Sequence, residues 1–350
     1  MSAKKGVFAG IGSFISKAWK RYSFIFVFAI ILLVYSFTIE ANGNAFKWGH
    51  ITAILASQNT VIVGTMALGM ALVIITGQID LSVGSALVLS SGVAIMAFNL
   101  TNSVIITFLA AVAAGALCGL INGVLAGYAK MPPFIVTLGT MLIYRSLMLS
   151  LVRAIDPAIT GSSSSQFAML SENSAYDALR MKFGTGSLPG VSIPYITFVF
   201  VAVMLIILLV SRRTKYGKSV YAVGSNEKAA FLAGVNVQGV KVSVFVITGI
   251  LVGIAAFVQA CKIGNVTPAS SGKSYEMYAI AAVVLGGISM SGGKGRCLGI
   301  LFGAMSYTVI DKIIVSLKMD SLINNAIKGM ILLIVIMIQV AGPKIRGKLK

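Results

Sequence analysis

Apolar runs long enough, or nearly so, to cross a bilayer recur along almost the whole chain. They fall at about Ser23–Ile39, up to Thr76, Val83–Phe98, Val104–Tyr128, Phe134–Leu151, Tyr195–Val210, Val242–Cys261, Tyr278–Ile288, Leu298–Val315 and Leu322–Val340. A helix needs roughly 20 apolar residues to cover about 30 Å of hydrocarbon. The sequence therefore predicts an all-α membrane protein, a polytopic bundle of about ten transmembrane helices in one domain, 1–350. With 57% hydrophobic and 11% charged residues, it is far from the roughly 25% charged of a soluble domain.

A formal net charge of +19 would suggest nucleic acid as partner in a soluble protein. Here the basic residues sit in short flanks of apolar runs, the positive-inside pattern of a chain whose surroundings are a lipid bilayer. Lys4, Lys5, Lys17, Lys20 and Arg21 place segment 1–22 in the cytoplasm, and Arg212, Arg213, Lys215 and Lys218 do the same for a loop at 211–241. Lys344, Arg346, Lys348 and Lys350 put the C-terminus inside as well, while 153–194 becomes an extracytoplasmic loop. This topology collects 18 of the 28 Lys and Arg residues on one side. The first run, taken alone, imitates a secretory signal, but the many spans behind it favour an uncleaved helix. Cys118, Cys261 and Cys297 lie far apart with no metal-ligand spacing, and His50 has no ligand-type neighbour, so no metal site and no disulfide framework is expected.

Two glycine-broken stretches interrupt this pattern: Gly77-Gln78-Ile79-Asp80-Leu81-Ser82-Val83-Gly84 and Gly286-Gly287-Ile288-Ser289-Met290-Ser291-Gly292-Gly293. They align at Gly, Ile, Ser and Gly, an internal repeat. Irregular backbone at membrane depth is confined to places where protein or a water-lined cavity satisfies it, and paired interruptions point to a translocation path. Small residues that only let helices pack closely are the competing explanation. The ten-span count sets the stretches parallel, whereas an inverted repeat needs an odd number of spans between them. The eighth span, with too few apolar residues to cross, is the candidate for a re-entrant segment.

Asp80 is the one acid placed deep in an apolar environment, where a charge costs about 2.5–3.5 kcal/mol on insertion scales. It can bind an ion, hold a solute hydroxyl or cap the helix starting near Ser82; nearness to the basic face favours the cap. Arg145, Asp311 and Lys328 fall near predicted span ends, where long side chains snorkel. A chain of intramembrane carboxylates for proton relay is absent, and the recurring polar groups are neutral. Gly77, Asp80, Ser82, Gly84, Asn122, Thr137, Ser289 and Ser291 are accordingly the candidate pathway residues. In the basic loop, Ser225 or Asn226 can start a short helix carrying Glu227, Ala229 and Ala230 and ended by Gly234, able to dock in a groove of a soluble partner. Its alternative is a helix lying on anionic lipid. Gly217-Lys218-Ser219 and Gly272-Lys273-Ser274 resemble the end of a phosphate loop, but Arg212 and Thr267 stand where its first glycine belongs. The chain is not expected to be an enzyme.

Five blocks in order resemble the membrane permease subunit of the bacterial ABC sugar importers of the ribose and galactoside family. They are Ala71–Gly77 with Ile79–Gly84; Gly119-Leu120-Ile121-Asn122-Gly123; Pro133–Thr140; Tyr221–Val235; and Ala279–Ala282 through Gly293-Lys294-Gly295-Arg296. The resemblance implies an inner-membrane homodimer forming the pathway for a neutral monosaccharide such as ribose, galactose or a methyl-galactoside. It also implies a separate ATPase subunit inside, carrying ATP and Mg, and an extracytoplasmic sugar-binding protein outside. The Glu227–Gly234 helix resembles the coupling segment of such permeases. Gln78 and Tyr278 depart from the family pattern, which usually has glycine and aspartate there. An ion-coupled carrier using Asp80, or a membrane scaffold without transport, would be the rival reading.

Overall fold

The computed structural model describes residues 24–162, 165–170, 175–177, 179, 194–317, 326–331, 333–334 and 337. The basic segment 1–22, the C-terminal cluster and much of the tenth span lie outside them. Seven described helices are long and apolar enough to cross a membrane: α1 (Phe24–Ala41), α4 (Val83–Thr101), α5 (Val104–Gly127), α6 (Pro133–Ala154), α8 (Tyr195–Arg213), α11 (Val237–Ile263) and α13 (Gly299–Ser316). The bent pair α2 (Trp48–Leu55) and Asn59–Ile75, at 48° to one another, passes the same test of length and apolarity and makes an eighth if the two form one span. The second member starts as a π-turn, Asn59–Val63, and continues as α3 (Gly64–Ile75).

The order of burial follows from the apolar faces. Every residue of α3 is buried, as suits a helix apolar on all sides at the centre of a bundle. The α5, α6 and α8 helices present Ile105, Leu117, Leu142, Ile143, Ile206 and Leu209 outward, the surface that lipid covers. Between α5 and α11 the backbones touch: a Cβ at Gly115 would overlap the Gly249 carbonyl oxygen, and one at Gly119 the Phe245 carbonyl oxygen. Small residues at four-residue spacing permit this approach, because packing rather than a hydrophobic force holds helices together in lipid.

Three expectations change. The seventh span begins five residues earlier than its apolar run, because Asn236 caps α11 by accepting from Gly239 N–H. The loop at 153–194 is not simply a surface excursion: Pro157–Thr160 forms the short α7, and β1 (Phe167–Ala168) pairs antiparallel with β2 (Asn265–Val266), with Phe167 fully buried. The eighth span, expected at Tyr278–Ile288, lies three residues earlier and is too short to cross as one helix. Its helix, α12 (Tyr275–Leu285), has 11 residues, about 16 Å at 1.5 Å per residue. The remainder is the turn-rich segment 265–274, which leaves β2 and descends along α4 until Gly272 meets Gly84. Both breaks lie at the basic end of the bundle, where Gly292 meets Gly77.

Candidate translocation site

The first break is made by the end of α3. Gly77 takes φ +80°, while Gly77 N–H donates to Ile74 O at 2.9 Å and Gln78 N–H to Val73 O at 3.1 Å. This is the paired bonding by which a left-handed glycine closes a helix. Beyond it the chain is held by side chains. Asp80 Oδ1 accepts from Ser82 N–H at 2.8 Å and from Ser82 Oγ at 2.7 Å, and Asn122 Nδ2 donates to Ser82 Oγ at 2.7 Å. Thr137 Oγ1 donates to Ile79 O at 3.4 Å. Asp80, Ser82, Asn122 and Thr137 are all buried. Asp80 thus folds an Asx turn ahead of α4 and bonds the N-cap residue itself, not the amides of the first helical turn.

Tyr144 on α6 belongs to this cluster and was missed from the sequence. Its hydroxyl donates to Cys118 O at 3.1 Å and reaches Asn122 Oδ1 at 3.4 Å. Nothing in the local sequence marks it, since only the packing of α6 against α5 brings it there. Gly84 is the other close approach: a Cβ would stand 2.5 Å from Gly272 O and 2.8 Å from Glu276 Oε2.

The second break repeats the helix end and not the side chains. Gly287 takes φ +79°, Gly287 N–H donates to Val284 O at 2.9 Å and Ile288 N–H to Val283 O at 3.2 Å. The equivalent of Gly77 is therefore Gly287, one residue beyond the Gly286 that sequence alignment pairs with it. Ser291 is exposed and Ser289 half-buried; Ser289 Oγ accepts locally from Ser291 N–H at 3.3 Å. The structure does not bring these serines to the Asp80 cluster. The contact between the breaks is backbone to backbone, with Gly293 N–H donating to Ile75 O at 2.8 Å.

Three charged residues expected near span ends are tied into the bundle. Arg145 lies midway along α6 and donates to Pro268 O at 2.7 Å and Ser271 O at 3.2 Å. It thereby satisfies carbonyls of the non-helical half-span, as irregular backbone at this depth requires. Asp311 on α13 pairs with Lys328 at 2.6 Å and accepts from Asn59 Nδ2 at 3.0 Å. Lys328 lies over the rings of Tyr278 and Tyr307, 5.0 and 5.3 Å from their centroids. Tyr278, one of the two departures from the family pattern, is thus part of a cation–π contact.

On the basic face, α9 (Lys215–Ser225) and α10 (Glu227–Leu232) join through Asn226, whose side chain accepts from Ala229 N–H at 3.0 Å. Gly234, at φ +80°, ends α10. Ala230 is buried, whereas Phe231 and Leu232 are 68% and 84% exposed. Glu227 and Lys241 pair at 2.8 Å on the rim of a groove of about 720 Å³ that also runs past Lys130, Pro133 and Phe231. Tyr221 Oη donates to Gly295 O at 3.0 Å. Burial pushes that phenol above its ordinary pKa, so it stays a neutral donor.

The sequence matches, over residues 51–340, the family described as branched-chain amino acid transport system / permease component. It is 36% identical to the ribose import permease of Bacillus subtilis (strain 168), over 79% of this chain and 80% of that one. Identity is 32% to the ribose import permease of Escherichia coli (strain K12), over 93% and 95%. It is 36% to the fructose import permease of Rhizobium meliloti, over 79% and 73%. No solved structure matches. A multi-pass helical bundle, two glycine-ended helices meeting at its basic end and a match along most of the sequence lead to one statement: the chain belongs to this family of transport-system permeases, together with the ribose and fructose import permeases.

Proposed function

We propose that the chain is the membrane-spanning subunit of an ATP-driven importer for a neutral monosaccharide, forming the pathway as a homodimer in the bacterial inner membrane with both termini in the cytoplasm. The observation that carries the reading is the near full-length similarity to the ribose import permease of Escherichia coli. The geometry supports it in two places. Around the first break Asp80 is accompanied by the neutral hydrogen-bonding groups of Ser82, Asn122, Thr137 and Tyr144, suited to a polyhydroxylated solute that must be released as readily as it is bound. The exposed Phe231 and Leu232 on a capped, glycine-ended helix beside a groove suit docking of a separate ATPase subunit, which would hold ATP and Mg. A sugar-binding protein on the opposite face would set most of the selectivity.

The reading is tested in proteoliposomes containing the permease with its ATPase and binding protein. Labelled ribose, xylose and fructose are offered with ATP inside or outside and with ionophores present. Uptake of one of these sugars that requires ATP on the cytoplasmic face and ignores ionophores is the expected result. Uptake abolished by collapsing an ion gradient, or by Asp80→Asn under that gradient alone, would instead assign an ion-coupled carrier.

A further inference from the structure

The two breaks do not meet alone; the last turn of α9 is inserted against their one backbone hydrogen bond. A Cβ at Gly224 would overlap the Ile75 carbonyl oxygen and stand 2.8 Å from Gly293 N, the acceptor and donor of that bond. From the other side, a Cβ at Gly292 would stand 3.0 Å from Gly224 O and 3.1 Å from Gly77 N, and one at Gly293 would stand 2.7 Å from Ser225 Cα. Three backbone segments thus converge where no side chain fits: the end of α3, the loop after α12 and the end of α9. Tyr221, one turn earlier on α9, adds its bond to Gly295 O.

Helix α9 is also rigidly joined to α10. Asn226 N–H donates to Ala222 O at 3.1 Å and so closes α9, while the same residue's side chain caps α10. One residue serving both helices leaves no slack linker to absorb motion. Packed joints of this kind respond to a displacement by switching between arrangements more readily than by stretching.

We propose that Gly224, seated against Gly292–Gly293 and Ile75, is the joint through which the cytoplasmic helix α10 moves both breaks at once. Gly224 and Tyr221 are positioning residues in this scheme; neither is assigned contact with solute. The proposal rests on the ATP-driven reading above. A tilt of α10 imposed by the ATPase carries the end of α9 with it. Because Gly224 bears on both partners of the Gly293–Ile75 bond, the ends of α3 and α12 separate or close together.

The test uses the full chain, assembled with its ATPase and binding protein in proteoliposomes, and measures uptake and ATP hydrolysis on one sample. The unaltered complex is measured first: ATP-independent uptake there rejects the ATP-driven reading, whatever Gly224 does. Given ATP dependence, Gly224→Ala is expected to leave ATPase co-purification intact and basal hydrolysis within about twofold. Uptake, and stimulation of hydrolysis by sugar-loaded binding protein, should fall at least about tenfold. Tyr221→Phe, which removes the hydroxyl bonded to Gly295 O and adds no volume to the joint, is expected to lower the ratio of uptake to hydrolysis about two- to fivefold. A merely structural role would lower assembly, hydrolysis and uptake in parallel. Unchanged uptake in Gly224→Ala, or parallel loss of hydrolysis and uptake, overturns the proposal. Should Gly224→Ala fail to insert, Tyr221→Phe decides: an unchanged ratio overturns it and a lowered ratio supports it.

Discussion

The two breaks share a helix end and differ in what holds the chain after it. At Gly77 and at Gly287 the same left-handed residue closes the same pair of carbonyls. After Gly77 the chain enters a buried cluster in which Asp80, Ser82, Asn122 and Tyr144 bond one another across three elements. After Gly287 it meets neighbours through its backbone, and its serines face outward or bond locally. Similar helix ends therefore carry different mechanical roles: the first break is anchored by side chains of its own, and the second is held through its backbone, by Gly293 N–H on Ile75 O and by the Tyr221 hydroxyl on Gly295 O.

The largest effect on this contrast is expected from Asp80→Ala. Its loss leaves the Ser82 amide and hydroxyl buried without their carboxylate acceptor, at a cost of about 1–3 kcal/mol. A lowered unfolding temperature of the detergent-solubilised protein reads this directly; stability equal to wild type would show that the first break is not anchored as described. Asn122→Ala comes next, at about 1–2 kcal/mol, because Ser82 loses a donor but keeps Asp80. In the double variant the two losses should fall short of their sum, since both act on Ser82.

Tyr144→Phe is expected to cost less, about 0.5–1.5 kcal/mol, the net worth of a buried hydrogen bond. The ring remains in place against Cys118, so packing is unchanged. The same unfolding measurement checks it. A loss larger than that of Asn122→Ala would move the anchor from the break to the α5–α6 interface.

Much of this was readable from local chemistry. Apolar runs located the long helices, Asn226 and Gly234 bounded α10 where cap and stop residues predict, and the few apolar residues before the second break showed that α12 is short, though not that it starts at Tyr275. Relations between elements were not readable. The one-residue offset between Gly77 and Gly287 emerges only from hydrogen bonding, because glycine pairs leave the left-handed position ambiguous. Arg145 and Lys328 look like snorkelling side chains until the carbonyls of Pro268 and Ser271, or the rings of Tyr278 and Tyr307, are placed beside them. Gly224 is one glycine among 37, and its role depends on segments some 70 and 150 residues away in sequence. Ser289 and Ser291 were grouped with Ser82 by the repeat, yet burial separates them.

That separation gives the smallest expected change in stability and the sharpest contrast in access. Ser291→Ala removes a hydroxyl from an exposed position, so it should shift unfolding by no more than about 0.5 kcal/mol. Ser82→Ala disturbs Asp80 and Asn122 together. Cysteine placed at the two positions extends the comparison, because native Cys118, Cys261 and Cys297 are buried and contribute little background. A membrane-impermeant thiol reagent supplied from the cytoplasmic side should label Ser291→Cys in the resting protein and leave Ser82→Cys unlabelled. If the ends of α3 and α12 move together while the Asp80 cluster keeps Ser82 seated, ATP with loaded binding protein should change the labelling rate at position 291 severalfold without exposing position 82. Equal labelling of the two positions at rest would make both breaks part of one open surface and remove the asymmetry on which this mechanical division depends.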